Sequence, residues 1–173
     1  MVRASRLLLL SWSVSLVSLV IAAPPDSEKP ISLKEGQYLF VDDTLVARSH
    51  GVEKVVAAEA DTKNEQARSV ARQSDARIGL LVTPWLNIDA DRIALNCDAA
   101  GGEIRVQVVD ELDWMVYGLA FGDCKPIKTD SRRASVKWDR PLSLVRGKKI
   151  RLQFSIRDAS LYGFELTKDP KPN

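Results

Sequence analysis

Residues 91–111 read D-R-I-A-L-N-C-D-A-A-G-G-E-I-R-V-Q-V-V-D-E. Ile93, Leu95 and Cys97 alternate there with Ala94, Asn96 and Asp98; after Ala99-Ala100-Gly101-Gly102, Ile104, Val106 and Val108 alternate with Arg105, Gln107 and Val109. A period of two is the period of a strand with one buried face, and a Gly-Gly interruption predicts a tight turn, so the stretch is expected to form an antiparallel hairpin with one apolar side. A lone hairpin is marginal in water, and its apolar side needs a second sheet to cover it. The fold expected is therefore all-β: an antiparallel β-sandwich or jelly-roll-like domain built outward from this stretch.

The downstream sequence supplies the partners. Ile150, Leu152, Phe154 and Ile156 alternate with Arg151, Gln153, Ser155 and Arg157, and after Asp158-Ala159-Ser160 a closing strand runs through Leu161–Leu166. Ile78–Leu86 is a further strand, with Pro84 marking a sheet edge or a bulge, and Arg133–Trp138 another. The sandwich is expected over residues 78–168, with 169–173 as a loose tail.

Ahead of it the character changes. Arg3 and Arg6 precede Leu7–Leu10, and an apolar run with scattered serines reaches Ile21 before Ala22-Ala23-Pro24-Pro25. This is the pattern of a secretory signal peptide over residues 1–23, which predicts a secreted or periplasmic protein with no membrane contact after cleavage. Residues 24–77 read as a linker with one strand at 38–47 and a helix at 52–74. The helix is expected because residues 53–77 lack Gly, Pro and aromatics and are rich in Ala, Glu, Lys, Arg and Gln.

Charge and composition narrow the chemistry. The 173 residues carry 25 Lys and Arg against 23 Asp and Glu, too even a balance for a nucleic-acid binder. Two cysteines and one histidine, far apart in sequence, match no metal spacing, and His50 without a second imidazole offers no nucleophile-and-base pair. In an exported chain Cys97 and Cys124 have two readings, a disulfide or two buried thiols. Asp89 and Asp91 are spaced to share a strand face, but these carboxylates, like Asp110, Glu111 and Asp113, are better explained by turn chemistry than by catalysis or calcium. The sequence thus names no catalytic residue, no cofactor and no metal. Among the large aromatics, Trp138 and Tyr162 fall within strand patterns, and Trp85 lies beside Pro84. Trp114 and Tyr117, in the stretch after the 91–111 element, are the candidates for contact with a sugar or a protein partner.

Two parts of the chain resemble one larger family. Y-L-F-V-D-D-T-L-V-A-R-S-H-G-V-E-K from Tyr38 to Lys54 is similar to the opening of secreted glycosyl hydrolase-like proteins of planctomycetes and related bacteria, which carry a five-bladed β-propeller of the sucrase and levanase kind. Asn96–Asp110, Phe121–Ile127, Gly147–Phe154 and Leu161–Leu166 are similar, in order and spacing, to their C-terminal β-sandwich. In that family a propeller separates the two parts; here only a short Ala-rich stretch does, so no catalytic residue carries over. The resemblance implies an exported, non-catalytic accessory module that binds a glycan or a partner. The alternatives are a small glycoside hydrolase and a structural module that pairs with another chain through an edge strand at Ile78–Leu86.

Overall fold

The computed structural model describes residues 29–40, 43–56, 69–73 and 78–170. The expected signal peptide lies outside them. The strands, in chain order, are β1 (Ile31–Leu33), β2 (Gly36–Leu39), β3 (Arg48–His50), β4 (Val52–Val56), β5 (Ser69–Gln73), β6 (Gly79–Val82), β7 (Leu86–Ile88), β8 (Arg92–Asp98), β9 (Glu103–Asp110), β10 (Asp130–Ser135), β11 (Lys149–Arg157) and β12 (Ser160–Thr167), with single 3-10 turns at Asp43–Leu45 and Leu142–Val145. They form two six-stranded sheets, and the protein is all-β as the alternation predicts.

Each sheet is organised around one of the last two strands. β11 pairs with β9 along one side, Leu152 opposite Val108 and Phe154 opposite Val106, and with β6 and β7 along the other. The break between β6 and β7 is filled by Thr83, whose N–H donates to the Leu152 carbonyl while its hydroxyl accepts the Leu152 N–H, both at 3.0 Å. This is where Pro84, which has no N–H to give, interrupts pairing. β3 adds antiparallel to β6 and β1 adds parallel to β7. In the second sheet β12 pairs with β8 on one side and with β2 and β5 on the other; β10 extends beyond β8 and β4 beyond β5.

The expected 91–111 hairpin is therefore not a hairpin. β8 belongs to one sheet and β9 to the other, and residues 99–102 carry the chain across the sandwich as an arch. β11 and β12 form a second such arch through Asp158 and Ala159. Alternation and a glycine turn are common to both arrangements, so the periodicity could not separate them. The stacking of the two arches explains Gly102: a Cβ there would lie 1.9 Å from the Arg157 carbonyl oxygen.

The alternating residues do bury as their pattern requires. Ile93, Leu95, Cys97, Ile104, Val106, Val108, Leu152, Phe154 and Ile156 are all at most 1% exposed and share one core. Phe154 of the first sheet meets Phe40 edge-on, ring centres 5.8 Å apart, and Phe164 of the second at 6.2 Å, so aromatic contacts bridge the layers. Full burial of each such side chain contributes roughly 1.5–3 kcal/mol.

Other expectations need correction. The helix at 52–74 is absent where residues are described: Val52–Val56 and Ser69–Gln73 are strands, Val52 opposite Gln73 through Val56 opposite Ser69. Helix propensity is a weak preference that strand pairing overrides. Nor is 38–47 an isolated strand in a linker. β1, β2 and β3 each pair with a strand of the sandwich, so residues from Ile31 onward contribute to its sheets. The tail begins ordered: the Asp169 N–H donates to Asp91 at 3.0 Å and its carboxylate pairs with Arg92.

Candidate functional site

The segment leaving β9 folds back on itself. The Asp110 carboxylate accepts the N–H groups of Leu112 and Trp114, both at 3.0 Å, while the Asp110 N–H donates to the Trp114 carbonyl and the Val116 N–H to that of Val108, each at 2.9 Å. Met115 bridges to Val109. Asp113, at the tip, has φ 57°, a left-handed conformation that Asp tolerates better than most residues. Its carboxylate lies 3.2 Å from the Arg151 guanidinium of β11 and 4.0 Å from that of Arg48 on β3, which ties the tip to the first sheet. A loop held this way would be expected to turn its apolar side chains inward. Instead Leu112 is 71% exposed, Trp114 71%, Met115 65% and Tyr117 83%. Four large apolar side chains facing water within six residues are the main exposed apolar feature of the described surface.

Arg151 connects this loop to a second aromatic. Its guanidinium sits 3.7 Å from the centre of the Trp85 ring, and the Lys149 ammonium 4.7 Å from the same ring. Trp85 is buried beneath these cations, with its indole N–H and the Arg151 Nε unpartnered by protein atoms. Trp85 is thus a structural residue, and Arg151, itself only 9% exposed, depends on Asp113 and the ring to hold its charge.

Further along the same edge of β9, between the backbone bonds of Ile104 to Ile127 and of Val108 to Leu119, side chains close the gap at Val106. The Val106 N–H donates to the Cys124 sulfur at 3.3 Å, and the Val106 carbonyl accepts the Trp138 indole N–H at 2.7 Å. Trp138 is accordingly half-buried and fixed, and Tyr162 is half-buried on β12. Above this edge the Lys125 N–H donates to the Lys137 carbonyl at 2.8 Å, which sets the two lysines side by side. They line a groove of about 660 Å³ together with Trp138, Arg140 and Arg133. The Arg140 guanidinium lies 5.4 Å from the centre of the Tyr117 ring, so the groove and the exposed loop adjoin. Its side chain packs on Gly118, whose φ of 80° and lack of a Cβ leave it room.

The remaining candidates are accounted for locally. Asp89 pairs with Lys168 at 2.6 Å and lies 3.8 Å from Arg146, while Asp91 is bound by Arg146 and by the Asp169 N–H. The hydrogen bond from Lys168 holds the Asp89 carboxyl below its ordinary pKa of 3.8, against the opposing effect of desolvation and with help from the charges of Lys168, Arg146 and Lys34. Both are structural ion-pair partners, and no group of three metal-ligating side chains occurs among the described residues. Turn chemistry does explain Asp110, as it explains Asp98, whose carboxylate accepts the Ala100 N–H at 3.3 Å. His50 is an exposed strand residue lining a shallow cavity of about 470 Å³ with Arg48 and Gln153. Cys97 and Cys124 are both buried free thiols, so of the two readings the structure has the unbridged one. Burial, with Asp130 and Asp98 nearby, pushes the Cys97 thiol up to about 11, and burial also raises Cys124.

Of the sequence candidates, then, Trp114 and Tyr117 come together on one exposed loop, whereas Trp85, Trp138 and Tyr162 are drawn into the fold. Lys125, Lys137 and Arg140 had no signal in the sequence, because pairing across distant segments brings them together. Compared with family models, with curated proteins and with solved structures, the chain matches none.

Proposed function

We propose that the protein is an exported, non-catalytic β-sandwich module, as the resemblance to the accessory domain of glycosyl hydrolase-like proteins implies, and that it binds a glycan through Trp114 and Tyr117. The observation that carries this reading is the exposure of both rings on a loop whose backbone is fixed by Asp110 and whose tip is tied to Arg151. Rings held in advance of binding stack on a sugar face with little further loss of conformational freedom. A hydrolase would need two carboxyl groups roughly 5–10 Å apart and free to work on a sugar. Asp89 and Asp91 are instead engaged by Lys168 and Arg146. Pairing through Ile78–Leu86 is disfavoured, because β6 and β7 already have a neighbour on each side.

The test is a glycan array followed by calorimetry on the best ligand. Replacing Trp114 and Tyr117 together by Ala is expected to weaken binding by about tenfold or more, the loss that goes with roughly 1.4 kcal/mol of stacking. An array with no glycan bound, or an affinity indifferent to the double substitution, would overturn the reading.

A further inference from the structure

The groove beside the loop carries a charge pattern that the fold itself does not use. Five cationic side chains line it: Arg92, Lys125, Arg133, Lys137 and Arg140. Two of them are satisfied internally, Arg92 by Asp169 and Arg133 by Glu165, the latter at 2.6 Å. Of the acidic residues along the groove, Asp91 is committed to Arg146 and Asp169 to Arg92, which leaves Asp139. Against it stand Lys125, Lys137 and Arg140, none of which has a carboxylate within ion-pairing distance among the described residues. The backbone bond between Lys125 and Lys137 places two cationic residues on neighbouring chain segments, and both line the groove, within reach of one bound anion. Trp138, immobilised by its bond to the Val106 carbonyl, gives the same groove a fixed aromatic wall, and Arg140 joins it to Tyr117.

We infer that the glycan is anionic, and that Lys125, Lys137 and Arg140 form a subsite for its carboxylate or sulfate groups next to the sugar-stacking rings. The inference rests on the glycan-binding reading and adds to it the class of ligand. A chain lying across Tyr117 and into the groove would meet stacking rings first and paired cations next. The sugar ring supplies apolar faces for the aromatics, and its acidic substituents supply the counter-charge that the lysines lack. Nucleic acid fits the charge but not the balanced surface of the whole chain, and it serves as a control.

The experiment titrates the full chain with four polymers: a polyuronate, a sulfated polysaccharide, a neutral glucan and duplex DNA, at about 20 and 200 mM salt, where screening lengths differ roughly threefold. The expected result is binding to a polyuronate or a sulfated polysaccharide, with the preference between them identifying the anion. That binding weakens several-fold at the higher salt, by about tenfold in Lys125→Gln/Lys137→Gln, and also on loss of Trp114 and Tyr117. Arg140→Gln, which keeps a side chain over Gly118, is expected to weaken it by a smaller factor. Thermal melts of the variants check that the surface substitutions leave the fold intact. Tight binding to the neutral glucan that ignores salt and the lysines would overturn the anionic subsite and leave the glycan reading standing. Binding to none of the saccharides would overturn both. Equal binding to DNA, indifferent to Trp114 and Tyr117, would reduce the groove to a simple cation exchanger and also overturn the inference.

Discussion

The interior of the two arches and the flank beyond β9 follow opposite rules. Along β8, β9, β11 and β12 the apolar side chain of each alternating pair faces in, and the core it joins is closed to water. Beyond Asp110 the polarity inverts: Leu112, Trp114, Met115 and Tyr117 face solvent, while Arg151, Gln107 and Thr83 are buried around the loop and its sheet. The interior is arranged by the transfer of apolar area out of water, which has no direction and needs no particular partner. The flank is arranged by directed bonds from Asp110, Asp113, Trp138 and Cys124, which hold exposed groups against that same tendency. The first region makes the fold and the second presents a surface.

The sharpest way to break this contrast is to remove one ring from each region. Phe154→Ala deletes a fully buried ring between the sheets and is expected to cost about 3–5 kcal/mol in a denaturant melt, whereas Trp114→Ala should stay within about 0.5 kcal/mol. Comparable losses at the two positions would erase the distinction. A smaller effect is expected where the regions are joined. Asp113→Ala strips the buried Arg151 guanidinium of its carboxylate, and because Asp113 is half in water the cost should be about 1 kcal/mol. Hydrogen exchange at Leu112 and Trp114 should rise in the same variant; unchanged protection would mean that Asp110 alone holds the loop.

Titration probes the two regions with gentler changes. Cys97 is in the core, and its thiol ionises at about 11 in the folded chain against an ordinary value of 9.0. The unfolded chain therefore releases this proton first, so the stability it contributes is full below pH 9 and declines as pH rises through 11. Cys97→Ala should flatten that alkaline decline, measured by melts from pH 8 upward. Both thiols should resist an aromatic disulfide reagent until the protein unfolds. At the surface, Asp89 is held below its ordinary value chiefly by Lys168, so its contribution is present above pH 4 and fades as the carboxylate is protonated below it. In Lys168→Met the Asp89 carboxyl should move back towards 3.8, which carbon-detected NMR titration would register without a measurable change in melting temperature.

The sequence was readable where burial follows a period. The inward residues of β8, β9 and β11 are those the alternation picks out, and Trp114 and Tyr117, outside any alternation, are exposed, because a period of two reports a dry face and its loss reports a loop. It was silent on partnership. Ala99–Gly102 joins strands of different sheets, yet nothing in Ile93–Val108 distinguishes an arch from a hairpin, since the choice is made by β11 and β12 much further along. The Ala-rich stretch misled for a related reason: β5 is a strand because Ser160 and Leu161 offer it an edge, a circumstance absent from its own residues. Lys125 and Lys137 likewise become neighbours through a bond between segments that composition treats as unrelated.

The seat of both sheets in β11 and β12 has a bearing on how the chain comes into being. A polypeptide that emerges N-terminus first delivers β1 to β10 before the two strands that most of them must lie against. The closure of either layer waits for β11 and β12, after long-range loops have been drawn in at their full entropic cost. Until β11 and β12 arrive, the edges of β2, β5, β6, β7, β8 and β9 that will pair with them stay unmatched, so the timing of assembly is set by two strands rather than by the ten that precede them.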